Sequence, residues 1–197
     1  MSMSSLVKTR GRTFVLLGIS GSGKDTQVRF LRRALPRSVE ISTGDALRAV
    51  ARRRNRAGRH IAAILRRGGI APYWSAIYVW LRALFERLNG EEDLIFSGGP
   101  RLIEDARMLD DVMTDLGRPL PIVVYLTLSA AEARRRLIKR GRSDDNPRAI
   151  AGRFQFFQRE VLPVVAYYRR RSRLITINGD QPVPAVWRDI RRALRLG

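Results

Sequence analysis

Thr13-Phe14-Val15-Leu16-Leu17-Gly18-Ile19-Ser20-Gly21-Ser22-Gly23-Lys24-Asp25-Thr26-Gln27 decides the fold. An apolar run leads into a glycine-rich turn that ends in a lysine, after which Val28, Leu31 and Leu35 recur at helical spacing. Strand, glycine-rich turn with lysine, then helix is the context in which a P-loop is meaningful. The glycines let backbone N–H groups wrap a polyphosphate, and the helix N-terminus adds the positive end of its dipole. The segment predicts binding of a nucleoside triphosphate, with Lys24 between the phosphate that is cut and those retained.

Outward from this segment, five short apolar runs bounded by turn signals read as buried strands, at 13–17, 39–41, 94–97, 121–127 and 174–177. Helical periodicity fills the gaps. Ala149 to Tyr168 puts Phe154, Phe157, Val161, Val165 and Tyr168 on one face, and Val186, Ile190 and Leu194 form the inner stripe of a last helix. Ser129-Ala130-Ala131-Glu132 has the pattern of a capping box. Trp74, Tyr78, Trp80, Leu81, Leu84, Phe85 and Leu88 read as one buried helix face, ahead of the alternative of an aromatic platform for bases. Alternating strands and helices predict an α/β fold of the P-loop NTPase type. Its three layers are a five-stranded parallel sheet and the helices on both faces, with ligands at the carboxyl ends of the strands. The expected organisation is a flexible stretch at 1–12 followed by a single domain at 13–197.

The composition narrows the function classes. The chain has 197 residues and no cysteine, so disulfides and a cysteine-held zinc are excluded. Its first residues lack the apolar centre of a signal peptide, and no stretch is long and apolar enough to span a membrane, so a soluble cytoplasmic protein is expected. There are 38 basic against 18 acidic residues, a formal net charge of +20. Only Lys8, Lys24 and Lys139 are lysines, and the arginines recur in every predicted helix instead of one arm. This reads as an arginine-rich composition, from which non-specific RNA or polyphosphate binding follows by electrostatics alone.

Three further segments carry a resemblance. Ile41-Ser42-Thr43-Gly44-Asp45-Ala46-Leu47-Arg48 follows the second strand, and Phe96-Ser97-Gly98-Gly99-Pro100-Arg101 ends the third. Arg136-Leu137-Ile138-Lys139-Arg140-Gly141-Arg142-Ser143-Asp144-Asp145 then runs toward Arg153. With the P-loop, and in this order, they resemble the adenylate kinase and wider nucleoside monophosphate kinase family over nearly the whole chain. Gly58 and Gly68 fall where that family has glycines in its monophosphate-binding flap.

The resemblance implies roles. Gly18, Ser20, Gly21, Ser22, Gly23, Lys24, Asp25, Thr26, Arg136 and Arg140 would hold ATP. Thr43, Arg48, Ala71, Arg101, Asp105, Arg142 and Arg153 would hold the monophosphate. Lys24, Arg101, Arg140, Arg142 and Arg153 would surround the transferring group, with Asp144 or Asp145 orienting the arginines or merely starting a helix. A flap at about 43–72 and a short lid at about 140–150 would be the moving parts. Arginine suits such a site, because its permanently charged fork matches phosphate oxygens. His60, the single histidine, reads as a surface residue.

Three positions depart from the family pattern. Ser97 stands where an acid orients water on Mg2+. Asp25 follows the P-loop lysine, where it either supplies that missing carboxylate or is a first-turn helix aspartate. Asp105 stands where adenylate-specific members have glutamine, and an ionised aspartate only accepts hydrogen bonds. Gly99 in place of a bulkier residue is expected to enlarge the acceptor pocket. The expectation is therefore a monomeric kinase moving the γ-phosphoryl of Mg-ATP to a nucleoside monophosphate, AMP first. The alternatives are a nucleotide-binding, RNA-associated protein with little kinase activity and a kinase for another anionic small acceptor.

Overall fold

The computed structural model describes residues 11–67, 69–142 and 145–196. Residues 1–10, Gly68, Ser143, Asp144 and Gly197 lie outside it, and with them the expectations placed on Gly68 and Asp144. Of the stretch expected to be a flexible lead-in, Gly11 and Arg12 are tied to the body. The Arg12 N–H donates to Asp93 Oδ1 at 2.7 Å, and the Gly11 carbonyl accepts from Arg118 at 2.9 Å.

The five strands are β1 (Thr13–Gly18), β2 (Ser38–Ser42), β3 (Asp93–Ser97), β4 (Ile122–Thr127) and β5 (Leu174–Asn178). They form a parallel sheet in the order β2-β3-β1-β4-β5, with Leu16 opposite Ser97 and Gly18 opposite Leu126. Because β1 is central, its alternating residues feed two cores. Val15 and Leu17 pack with Ile41, Trp80, Phe96 and Leu109, whereas Phe14 and Leu16 pack with Val28, Leu31, Ile177 and Ile190. Burial on both faces explains why the strands are continuously apolar. Each such side chain contributes about 1.5–3 kcal/mol.

The helices are α1 (Lys24–Ala34), α2 (Thr43–Ala51), α3 (Arg56–Arg66), α4 (Tyr73–Arg87) and α5 (Ile103–Asp115), then α6 (Ala130–Arg140), α7 (Pro147–Phe156), α8 (Leu162–Arg170) and α9 (Val183–Ala193). α1 and α9 pack together, and the inner stripe of α9 is buried as expected, with Val186 and Ile190 in the core. The N-termini of α1 and α2 follow the carboxyl ends of β1 and β2, which gathers the loops of the site along one edge of the sheet. Among the described residues no helix is long and apolar enough to cross a membrane.

Three local expectations change. The segment expected as one helix from Ala149 to Tyr168 is α7 and α8 joined by a π-helical turn, Phe157–Val161. Pro163 has no N–H and its ring crowds the preceding turn, and a widened turn relieves both problems. The five apolar residues named for this helix are nonetheless buried. Along α4, Trp80 and Leu84 enter the core, but Trp74, Tyr78 and Phe85 are 47%, 44% and 88% exposed, so this is not one buried face. At α6, Ser129 Oγ accepts the Glu132 N–H at 3.2 Å, while the Glu132 carboxylate turns away to Arg135 and Arg136. Only half of the capping box forms.

Candidate active site

The turn between β1 and α1 folds as its glycines require. Gly21 and Gly23 have φ of 90° and 87°, a region where a side chain would be strained. Lys24 opens α1, and its Nζ folds back over the loop, donating to the carbonyls of Gly18 at 2.7 Å and Ile19 at 3.0 Å and to Ser22 Oγ at 3.3 Å. Burial is the main cause that pulls its ammonium down to about 8. Asp25 opposes this, and Arg101 and Arg140 add to it. A polyphosphate in the loop would repair that electrostatic deficit.

In front of the loop lies a cleft of about 700 Å³. Ser20, Gly21, Gly23, Lys24, Asp25 and Thr26 line it from one side, and Arg48 and Ala71 from the segment between β2 and α4. Ser97 and Arg101 close its base, and Arg136, Arg140, Arg142 and Arg153 its far wall. Gly18 lines a smaller adjoining pocket with Lys24, Arg101 and Arg153, and Ser22 is buried behind the loop, holding Lys24. Residues far apart in sequence thus converge on one space.

The arginines are held in stated ways. Arg101 Nε donates to the Gly98 carbonyl at 2.6 Å. Burial lowers the Arg101 pKa, against the pull of Asp105, and Arg48 and Arg153 lower it further. Arg48 is bonded to Asp45 at 2.6 Å, and Asp45 in turn accepts from Ser42 Oγ at 2.7 Å. Arg140 grips Asp145 with two bonds of 2.9 and 2.8 Å, and Arg153 reaches the same carboxylate at 2.8 Å. Burial alone would raise the Asp145 carboxyl, but the two arginines overcome it and hold it at about 2. Arg136 bonds Glu132 at 2.7 Å and the Gly179 carbonyl at 3.1 Å, which fixes it beside the loop after β5.

Two residues expected to face the acceptor sit behind the cleft wall instead. Thr43 is buried, and its Oγ1 accepts the indole N–H of Trp80 at 2.7 Å. Asp105 is buried at the start of α5, where Oδ2 accepts the N–H groups of Arg101 and Leu102, both at 3.0 Å. Burial raises its carboxyl against those bonds. Helix-start geometry wins here, because the carboxylate falls three residues after Leu102, where it reaches the free N–H groups of the first turn. Nor does Gly99 enlarge the pocket: the Trp80 ring occupies the space a side chain there would need. The apolar contribution of Leu65 and Ile70 to the cleft had no clear signal in the sequence. His60 is exposed on α3, as expected.

The donors present are few. Among the described residues no three acidic or histidine side chains cluster as a metal cage. The cleft does offer the exposed Asp25 carboxylate beside Lys24 and the hydroxyl of Ser97. Mg2+ commonly keeps its waters and takes one or two carboxylates plus substrate phosphates, so this sparse set fits.

Comparison with known proteins agrees with the geometry. A family model described as adenylate kinase matches residues 16–173. The chain is similar to adenylate kinase 2 of Nostoc sp., 33% identical over 180 residues that cover 91% of this chain and 97% of that protein. It is also similar to the adenylate kinase of Thermus thermophilus, 32% identical over 188 residues, with 93% and 97% covered. The adenylate kinase of Azobacteroides pseudotrichonymphae is 31% identical over 179 residues, with 89% and 93% covered.

Proposed function

This chain belongs to the adenylate kinase family and is a nucleoside monophosphate kinase that uses Mg-ATP, and we propose that AMP is the acceptor it phosphorylates. Three relatives of similar length carry the name adenylate kinase, which supports AMP. The observation that carries the assignment of roles is the convergence of Lys24, Arg48, Arg101, Arg140, Arg142 and Arg153 on one cleft. A protein that only bound ATP would have no use for the Arg48 and Arg101 pair on the acceptor side.

On this reading the Gly18–Thr26 loop and Lys24 hold the β- and γ-phosphates, and Arg136 lies against the ATP base or its phosphates. Lys24 gives up its bonds to Gly18, Ile19 and Ser22 and turns to the phosphates. Arg48 and Arg101 clamp the acceptor phosphate. Arg140, Arg142 and Arg153 neutralise charge on the group in flight, and Asp145 sets the first and last of these at a fixed separation. Phosphoryl transfer of this kind needs alignment and charge stabilisation, not a general base, because the acceptor phosphate is already an anion. Bound Mg2+ would supply charge neutralisation on the phosphates, and Asp25 and Ser97, which line the cleft, would hold it through its waters.

Thr43 and Asp105 act from behind. Asp105 fixes the backbone of Arg101 and Thr43 seats Trp80, while Leu65, Ile70 and Ala71 give the acceptor base an apolar surface. We read residues 13–197 as one domain with a flap at about 43–72 and a short lid at about 140–150, whose closure excludes water from the transfer. Every residue given a role here lies on one chain, which supports action as a monomer.

The test is a coupled phosphotransfer assay with Mg-ATP against AMP, GMP, CMP, UMP and dTMP, with Lys24→Ala as control. Lys24-dependent turnover with the highest kcat/KM on AMP is expected. A preference for another acceptor would overturn the AMP assignment.

A further inference from the structure

Between Asp45 and Glu86 the sequence has no aspartate or glutamate and nine arginines. The fold folds much of this run into one place. A groove of about 660 Å³ between the end of α2 and α3 is lined by Arg52, Arg53, Arg54, Arg59 and Arg66, with only Ala51 and Ala62 besides. It shares no lining residue with the nucleotide cleft. All five arginines are exposed. Arg53 bonds Tyr78 Oη at 3.4 Å and Arg59 bonds the Arg54 carbonyl at 2.6 Å, neither of them an acid. Glu86, which closes the acid-free run, is held by Arg82 at 2.8 Å. Several arginines elsewhere do meet acids, as in Arg12 with Asp93, Arg32 with Glu40 and Arg173 with Asp110. What sets the groove apart is that five exposed guanidinium groups share it and, among the described residues, none of them has an ion pair to an acid.

Beside the groove α4 exposes two aromatic rings. Tyr78 touches Arg53, and Trp74 lies one turn earlier on the same face. Repeated cations with adjacent exposed rings match a chain of phosphates carrying unpaired bases, since guanidinium groups track the backbone and bases stack on the rings. Lipid fits less well. The apolar side of α3 is already spent on the core, with Ile61 fully buried and Leu65 packed against it, so the arginine-bearing helix has no apolar face of its own to enter a bilayer. We propose that this outer face of the flap binds single-stranded nucleic acid.

Fluorescence anisotropy of the full chain with a labelled oligouridylate of about 20 nucleotides tests this, across a salt titration. The groove variant is Arg52→Gln/Arg54→Gln/Arg66→Gln. Its control for net charge is Arg170→Gln/Arg188→Gln/Arg192→Gln, three exposed positions on α8 and α9. The groove variant is expected to bind at least about tenfold more weakly, with a salt slope reduced by about 2, and the control within about twofold of the parent. Trp74→Ala should weaken binding about fivefold or more, and an abasic strand of equal length should bind less tightly than the oligouridylate. Saturating ADP should leave the strand bound. Equal losses in the two triple variants would reduce the effect to net charge and overturn the proposal. So would displacement by ADP, equal affinity for the abasic strand, or no binding at low salt. None of these outcomes bears on phosphotransfer, which the acceptor panel tests separately.

Discussion

The Trp80 indole fills the place that a side chain on Gly99 would take: a β-carbon at 99 would collide with Cζ2 of that ring and stand 3.2 Å from Thr43 Oγ1. The same indole donates its N–H to Thr43 and meets Phe96 edge-on, with centroids 5.5 Å apart. Gly99, Trp80 and Thr43 are therefore one packing unit behind the cleft wall. Gly99→Ala should cost about 1–3 kcal/mol by overpacking. Combined with Trp80→Phe it should cost less than the two single changes added together, because the smaller ring makes room. Urea unfolding of the four proteins measures the coupling, and strict additivity would contradict it.

Lys24 gives a pH dependence with a definite sign. Its pKa in the folded chain is about 8, against 10.5 unperturbed. The charged lysine thus destabilises the ligand-free fold at neutral pH, and stability rises as pH goes from about 8 toward 10.5. Bound phosphates restore the proton, so ATP affinity should fall by about tenfold per pH unit just above pH 8, with proton uptake on binding. Calorimetry in buffers of different ionisation enthalpy measures that uptake. Lys24→Met should abolish it and raise the ligand-free Tm while destroying turnover, as expected where function is held at the expense of stability.

Asp145 should matter to both rate and acid stability. Its side chain is 1% exposed and bonded to Arg140 and Arg153. With a folded pKa of about 2 against 3.8 unperturbed, it contributes about 2 kcal/mol that is complete above about pH 5 and lost as pH falls toward 2. Asp145→Asn should flatten that acid limb in an unfolding series. By loosening both arginines it should also lower kcat by about ten- to hundredfold, with a smaller effect on KM.

Asp25 and Ser97 should behave as a pair toward Mg2+. Asp25→Asn is expected to raise the Mg2+ concentration needed for half-maximal rate, and adding Ser97→Asp should bring it back. An unchanged Mg2+ titration curve in Asp25→Asn would reduce the residue to a helix-start aspartate.

The sequence made most of this plan readable, for reasons that can be traced. Glycine-rich turns and both-faces-buried strands have local signatures, so the P-loop and all five strands lie within a residue or two of expectation. The arginines were placed by ordered motifs, and they do face one cleft. Reading failed where long-range packing decides. Nothing local tells Thr43 that an indole from 37 residues later will take its hydroxyl. Asp105 reads equally well as a base-facing acceptor and as a helix cap, and only the turn at Arg101 and Leu102 selects the second. Along α4 the apolar spacing is real, but α2 and the sheet cover only one side of a helix that is apolar nearly all round.

The crowding of Lys24, Arg48, Arg101, Arg140, Arg142 and Arg153 around one cleft, answered there by few carboxylates, has a consequence for the life of the protein in a cell. On the roles proposed above, the missing counter-charges are those of the substrates, and the empty form is then the one burdened by self-repulsion. Nucleotide at about a hundred times its dissociation constant adds about 2.7 kcal/mol to the fold. A fall in the nucleotide pool would thus thin the enzyme as well as idle it, tying the amount that survives proteolysis to the supply of what it converts.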